Sequence, residues 1–313
     1  MIDSPIPFEK APLQRVRDSF LDDHQVNLYV QREDLIHPVI SGNKWYKLKL
    51  NLKHAKERGF KTVLSFGGAY SNHIHALSAA SGLFQLQSIG VIRGGCDGGN
   101  PTLRDAKAHG MQLHFASREE YAKRCNKLYW QQLQDIFGGC HIIPEGGNNI
   151  QGVLGSREIM RSIQSHGIAF DRVAVAAATG ATLAGLIQAA PSHVKVLGVS
   201  TLKGEDTITS NVLGYLNDMA TGRMAQWQVF GGYHCGGYAK VNARLLDFME
   251  RFSAGTGIPL EPIYTGKLFY ALYDMVLNRQ IPAGANVVAV HTGGLQGLRG
   301  MQPLMDKIKA RVG

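Results

Sequence analysis

The stretch "RVAVAAATGATLAGLIQAAPSHVKVLGVS", residues 172–200, decides the fold. Residues 173–194 contain no Asp, Glu, Lys or Arg, enough length for a bilayer-crossing helix of about 20 residues. Thr179, Gly180, Gln188 and Pro191 interrupt it, however, and alanine dominates it. A buried strand, a turn at Gly180, a short helix and a second strand account for it better. Val and Ala in unbroken succession suit a strand covered on both faces, as in a parallel sheet. No membrane span is expected.

The same alternation continues outward in both directions. "VNLYVQRED" precedes a helix predicted over 43–58, with Trp45, Leu48, Leu52 and Ala55 on one stripe and Gly59 as its left-handed terminator. "KTVLSFGG" leads into "SNHIHALSAASG", and "QSIGVIRGG" into "PTLRDAKAHG". "MQLHFAS" leads into one long helix read across "REEYAKRCNKLYWQQLQDIFG". "CHIIPEGG" precedes "NIQGVLGSREIMRSIQSHG", and "NVVAVHTGG" precedes a C-terminal helix. The expected class is α/β, with mostly parallel strands and helices on both faces.

At 313 residues, with 44% hydrophobic and 18% charged side chains, the chain can bury a sizeable core. Cys96, Cys125, Cys140 and Cys235 form no C-x-x-C pair, which points to reduced thiols in the cytoplasm. The opening "MIDSPIPFEKAPLQRVRD" lacks a basic region followed by an apolar run, so no secretory signal is expected. A net charge of +9 favours anionic partners. C2H2 spacing, an RNP-like aromatic segment and long Lys/Arg blocks are all missing, so nucleic acid is not the expected partner.

Ligands of open α/β sheets bind at the carboxyl ends of the strands. Here those ends are "FGGAYSN", "PEGGNN", "ATGAT" and "HTGG". One such corner is a simple turn; four of them offer small residues and free N–H groups to a shared anion. "TGATLAG" is the best phosphate cradle, through the backbone of Gly180, Ala181 and Thr182 and the Thr182 hydroxyl. Nucleotide motifs fail: "EPIYTGKL" has Glu261 and Leu268 where a Walker A loop needs glycine and a hydroxyl residue, and no G-x-G-x-x-G follows a strand. His73 and His75 point nearly opposite ways on a helix, so no metal site is expected. A serine-hydrolase elbow is absent as well.

Lys44 stands out because a cation in the first turn of a helix is disfavoured. Either it reaches water, or its amine is meant to be neutral part of the time. The helix end and the nearby Lys47 would both lower its pKa, and burial in a cleft would act the same way.

"SGNKWYKL", "SFGGAYSNH", "IPEGGNNIQGVLG", "ATGATLAGL", "PIYTGK" and "HTGG" occur in the order found in the D-cysteine desulfhydrase and 1-aminocyclopropane-1-carboxylate deaminase family, which the chain resembles from about Leu28 to Gly294. The resemblance implies two open, mostly parallel twisted sheets with helices on both faces, the tryptophan synthase β-like fold. It implies a smaller domain at 46–156 and a larger one from 1–45 plus 157–313. It further implies pyridoxal 5'-phosphate as cofactor, a small amino acid as substrate and a homodimer.

Position by position, Lys44 resembles the lysine that carries the cofactor covalently, and Lys47 a phosphate contact beside Thr179, Gly180, Ala181 and Thr182. Asn72 would bond the cofactor ring oxygen, and the backbone of Ser71, Asn72 and His73 would take the substrate carboxylate. Tyr264 resembles the active-site tyrosine, and Tyr238 the second family tyrosine. Deaminases carry "YEGK" and "HLGG"; this chain has Thr265 and Thr292 there, the desulfhydrase-like pattern. A neutral residue near the ring nitrogen supports less carbanion character than a carboxylate does. Departures are Ala178 and Ala181 for glycine, Trp45 and Tyr46 after the lysine, and Ser156 for an aromatic. The expected activity is α,β-elimination on D-cysteine. The alternatives are deamination of a small amino acid and, from another class, a non-catalytic cofactor-binding or nucleic-acid-binding protein.

Overall fold

Along Arg172–Ala177 the side chains alternate between two hydrophobic cores: Val173, Val175 and Ala177 enter one, Ala174 and Ala176 the other. Both faces of the strand are covered, which is why its sequence lacks polar alternation. The structure, a computed structural model, describes residues 8–95, 99–219 and 224–311; the first seven residues of the opening stretch and Cys96 lie outside them.

The strands are β1 (Leu13–Arg15), β2 (Asn27–Arg32), β3 (Thr62–Gly67), β4 (Gln87–Arg93) and β5 (Gln112–Ala116). They continue with β6 (His141–Ile142), β7 (Arg172–Ala177), β8 (Lys195–Ser200), β9 (Gln226–Phe230) and β10 (Asn286–His291). A six-stranded sheet runs in the order β1-β2-β10-β7-β8-β9, and a four-stranded sheet in the order β5-β4-β3-β6. β1 pairs antiparallel with β2; the other pairings are parallel. In β10, Val288 and Val290 join Val173 in one core, while Val287 and Ala289 join Ala174 in the other.

The helices are α1 (Ser19–Asp23), α2 (Asn43–Glu57), α3 (Asn72–Leu83), α4 (Pro101–Ala108), α5 (Arg118–Ala122) and α6 (Lys127–Phe137). The second half supplies α7 (Ile150–Gln164), α8 (Ala181–Ala189), α9 (Glu205–Asp218), α10 (Ala243–Thr256), α11 (Thr265–Leu277) and α12 (Leu298–Lys309). The uncharged run at 173–194 is thus a strand and a nine-residue helix. Among the described residues no helix is long and apolar enough to cross a membrane. Leu183, Leu186 and Ile187 of α8 are buried, each contributing roughly 1.5–3 kcal/mol by leaving water.

One expectation is corrected. The single helix read across 118–138 is two, because Asn126 starts α6 by accepting from the Leu128 amide at 2.8 Å. The Trp130 indole donates to the Arg124 carbonyl and fixes the bend.

Three helices, α2, α7 and α8, approach so closely that only glycine fits between them. A Cβ at Gly155 would lie 1.8 Å from the Tyr46 carbonyl oxygen, and one at Gly185 would lie 2.5 Å from that of Val153. This contact sets the position of the α2 N-terminus, which carries Lys44 and Lys47. The apoprotein variant Gly155→Ala is expected to lose about 3 kcal/mol or to misfold. Gly214→Ala, in a helix where a Cβ meets nothing within 4 Å, should gain about 0.5–1 kcal/mol. Urea titrations of both variants check the contrast.

Candidate active site

Gly42 opens α2 with φ of 70°, and a Cβ there would sit 2.0 Å from the Thr292 carbonyl oxygen. Any side chain would therefore push the "HTGG" corner away from the helix start. The Gly42 amide donates to the Glu33 carbonyl at 2.7 Å and the Asn43 amide to the Thr292 carbonyl at 3.3 Å. No side chain caps α2, so its positive end faces the groups gathered there.

Those groups are the four glycine corners. The Asn43 carboxamide donates to the Thr182 hydroxyl at 3.0 Å, and Lys47 Nζ to the Thr179 hydroxyl at 3.3 Å. Both bonds tie the start of α2 to the start of α8, whose N-cap is Gly180 at φ of 96° with no side-chain cap. A Cβ at Gly147 would meet Lys47 Cβ at 3.1 Å and His73 Cε1 at 3.6 Å; one at Gly294 would meet Asn72 Nδ2 at 2.8 Å. Lys44, Lys47, Asn72, His73, Thr179, Gly180, Ala181, Thr182 and Thr292 therefore gather where the four corners meet.

Lys44 donates to Asn43 Oδ1 at 2.8 Å and sits over the Tyr264 ring, 6.0 Å from its centre. Burial lowers its pKa to about 8, against the opposing pull of Glu261. Desolvation is thus the leading cause, ahead of the helix end and Lys47 on which the sequence argument leaned. Lys47 is held well below the ordinary lysine range by burial and then by the Lys44 ammonium. An anion placed between these two amines and the α8 amides would restore the charge of Lys47.

Ser71 caps α3 by accepting from the Ile74 amide at 3.3 Å. Its own amide donates to the Gly68 carbonyl. Of the expected 71–73 backbone, the first-turn amides of Asn72 and His73 are the ones these bonds leave over. The His73 ring turns inward, with Nε2 2.8 Å from Ser65 Oγ, which itself donates to the Ile143 carbonyl. Ser65 must then accept from His73, so Nε2 carries the proton and Nδ1 is a bare lone pair without a partner. Burial and the two lysines hold this imidazole neutral. His75 faces Asp105 instead, 3.6 Å away, so the two histidines diverge.

Tyr264 is half-buried and Tyr238 is 53% exposed; their hydroxyls act on one another, and desolvation raises the pKa of both. Lys267, fully buried, donates to the Thr201 and Gly237 carbonyls at 3.3 and 3.0 Å, anchoring the loop that delivers Tyr238. Thr265 is also buried, and its hydroxyl is taken up by Glu261: it accepts from the Glu261 amide at 2.9 Å and reaches Oε1 at 3.2 Å.

Glu261 is the group that sequence reasoning missed. Its carboxylate accepts from the amides of Ile263, Tyr264 and Thr265 at 2.8, 2.8 and 2.6 Å, holding the turn that leads into α11. It is buried and acts on Lys44. Nothing local marks it, because that action joins positions far apart in the chain. Asn43 was missed as well, although it stands next to Lys44.

A model of the family described as "Pyridoxal-phosphate dependent enzyme" matches residues 7–293. A Thermotoga maritima protein provisionally named a 1-aminocyclopropane-1-carboxylate deaminase is 31% identical over 285 residues, covering 87% of this chain and 90% of that protein. The Arabidopsis thaliana mitochondrial bifunctional D-cysteine desulfhydrase/1-aminocyclopropane-1-carboxylate deaminase is 28% identical, covering 87% and 73%. The crystal structure of an ACC deaminase homologue superposes with a TM-score of 0.83 at 25% identity, covering 96% of this chain and 94% of that one.

Because the neutral amine is the nucleophile, Lys44 of the apoprotein should be acylated by dilute acetic anhydride with a midpoint near pH 8. Exposed lysines should react only toward their ordinary value of about 10.4. Peptide mass spectrometry across a pH series reads both. A Lys44 midpoint above 10 would contradict the burial argument.

Proposed function

The chain belongs to the pyridoxal-phosphate dependent enzymes, in the family of the D-cysteine desulfhydrases and 1-aminocyclopropane-1-carboxylate deaminases, and we propose that it releases sulfide from D-cysteine by α,β-elimination. The residues fit the cofactor. A half-buried amine of lowered pKa stands beside a second, buried amine, two hydroxyls and the uncapped end of α8, a donor set suited to an aldehyde and a phosphate.

Pyridoxal phosphate, when bound, supplies an aldehyde that condenses with amines and a ring that accepts electron density from the substrate α-carbon. Lys47, Thr179, Thr182 and the amides opening α8 would hold the phosphate, Lys44 the aldehyde carbon and Asn72 the ring oxygen. The Asn72 and His73 amides would hold the substrate carboxylate and so orient its α-carbon. Lys44 would take the α-proton; its lowered pKa keeps a useful fraction of the amine neutral near pH 8. The Tyr264–Tyr238 pair gives a proton to the departing sulfur, which leaves with the Cβ–S electron pair. Water then completes the release of pyruvate and ammonia.

One observation carries the choice of elimination. Position 265 offers a neutral hydroxyl, and the nearby Glu261 carboxylate is tied down by three amides and that hydroxyl. Neither places a free carboxylate at the ring nitrogen, which favours chemistry with a good leaving group such as thiolate. The names of the relatives favour a second reading, deamination of 1-aminocyclopropane-1-carboxylate. The same reading divides the chain into 46–156, containing the four-stranded sheet, and 1–45 plus 157–313, containing the six-stranded one, in a cytoplasmic homodimer.

Loaded protein should show a visible absorption band that Lys44→Ala abolishes, with turnover falling by about 10³-fold or more. Sulfide and pyruvate should appear with D-cysteine in preference to L-cysteine. Formation of 2-oxobutyrate from 1-aminocyclopropane-1-carboxylate at a higher kcat/KM would overturn the elimination reading, and no turnover of any amino acid by a banded protein would leave a binder without catalysis.

A further inference from the structure

We propose that Gln296 is a positioning residue: its side chain clasps the two sheet bodies together and turns the Asn72 carboxamide so that the NH2 group faces the cofactor. The inference rests on the reading of Asn72 as the partner of the cofactor ring oxygen.

Gln296 lies in the 3-10 turn Leu295–Gly297, just past the "HTGG" corner of the six-stranded body. All four of its hydrogen-bonding positions are filled. Nε2 donates to Asn72 Oδ1 and, at 3.3 Å, to the Tyr70 carbonyl. Oε1 accepts from the Thr102 hydroxyl at 2.8 Å and from Arg299 Nη2 at 3.0 Å. Reversing the amide would set its NH2 against the Arg299 guanidinium, which can only donate, and its oxygen against the Tyr70 carbonyl, which can only accept, so this orientation is the one the neighbours permit. Tyr70, Asn72 and Thr102 all belong to the body built on the four-stranded sheet.

The orientation then passes to Asn72. With Oδ1 turned to Gln296, Nδ2 must point the other way, toward Gly294, where φ is 90° and a Cβ would lie 2.8 Å from Nδ2. Asn72 thus shows its donors, and not its oxygen, to the cleft. An outer ion pair reinforces the clasp: Arg299 Nη1 meets Asp105 Oδ2 at 2.6 Å. That pair is half-exposed and contributes little by itself. The motifs legible in the sequence end at Gly294, and the helix expected beyond it carries no sign of this device.

A donor to the ring oxygen favours that oxygen's ionised form, so losing the donor should raise the pH at which the visible band titrates. Gln296→Glu separates positioning from structural support. Glutamate keeps both acceptor contacts, to Thr102 and Arg299, yet it can only accept, so it draws the Asn72 NH2 toward itself and turns the oxygen to the cofactor. The band midpoint of loaded Gln296→Glu should rise by roughly half to one pH unit, the size of one hydrogen bond, while apoprotein thermal stability stays near wild type. Gln296→Leu should shift the midpoint in the same direction. Asp105→Asn, which breaks the outer ion pair but touches neither Gln296 nor Asn72, should not shift it. An unmoved midpoint in Gln296→Glu, or an equal shift in Asp105→Asn, would overturn the positioning role while leaving the cofactor reading intact. Absence of the band in wild-type protein would remove the cofactor reading and this inference with it.

Discussion

Two ammonium groups share the first turns of one buried helix, and nearly everything around them works against their charge. The loss of water and then repulsion from Lys44 act together on Lys47; for Lys44 burial leads and Glu261 opposes it. Such an arrangement is unfavourable in isolation and survives because the scaffold leaves no alternative. Gly155 and Gly185 let α2, α7 and α8 approach to backbone contact, and Gly42 lets the "HTGG" corner cross the helix start. The same scaffold lowers the basicity of both amines, the property on which the proposed roles of Lys44 and Lys47 rest.

The sequence disclosed this centre unevenly, for physical reasons. Lys44 and Lys47 were legible because a 3.6-residue period put them on one face of a helix whose ends were marked. The four corners were legible because glycine and hydroxyl residues at strand ends have few other uses. The strand at 172–177 was legible as doubly covered from its unbroken Val/Ala run. The long helix across 118–138 was not read correctly, since a polar segment gives no periodic signal strong enough to reveal Asn126 as a cap.

Glu261 and Gln296 lay beyond sequence reasoning for a different reason. Each takes its meaning from residues far away in the chain, Lys44 for one and Asn72 for the other. Glu261 first entered the argument only as the residue that spoils a Walker loop. In the fold its carboxylate holds the turn before α11 and also acts on Lys44. Thr265 likewise looked like a free neutral neighbour of the cofactor ring, whereas its hydroxyl is shared with Glu261. Local pattern finds helices and turns; it does not find a side chain whose partners arrive from another sheet.

The histidine in the cleft illustrates how connectivity outranks residue type. Imidazole is the side chain a chemist would first choose to shuttle protons near neutrality. Ser65 spends its hydrogen on Ile143, which obliges His73 to spend its own on Ser65. With two cations close by, the ring cannot pick up another. The ring is left bound on one side and uncharged, and the group nearby whose proton equilibrium falls near pH 8 is instead an amine, Lys44, ordinarily far too basic for that range.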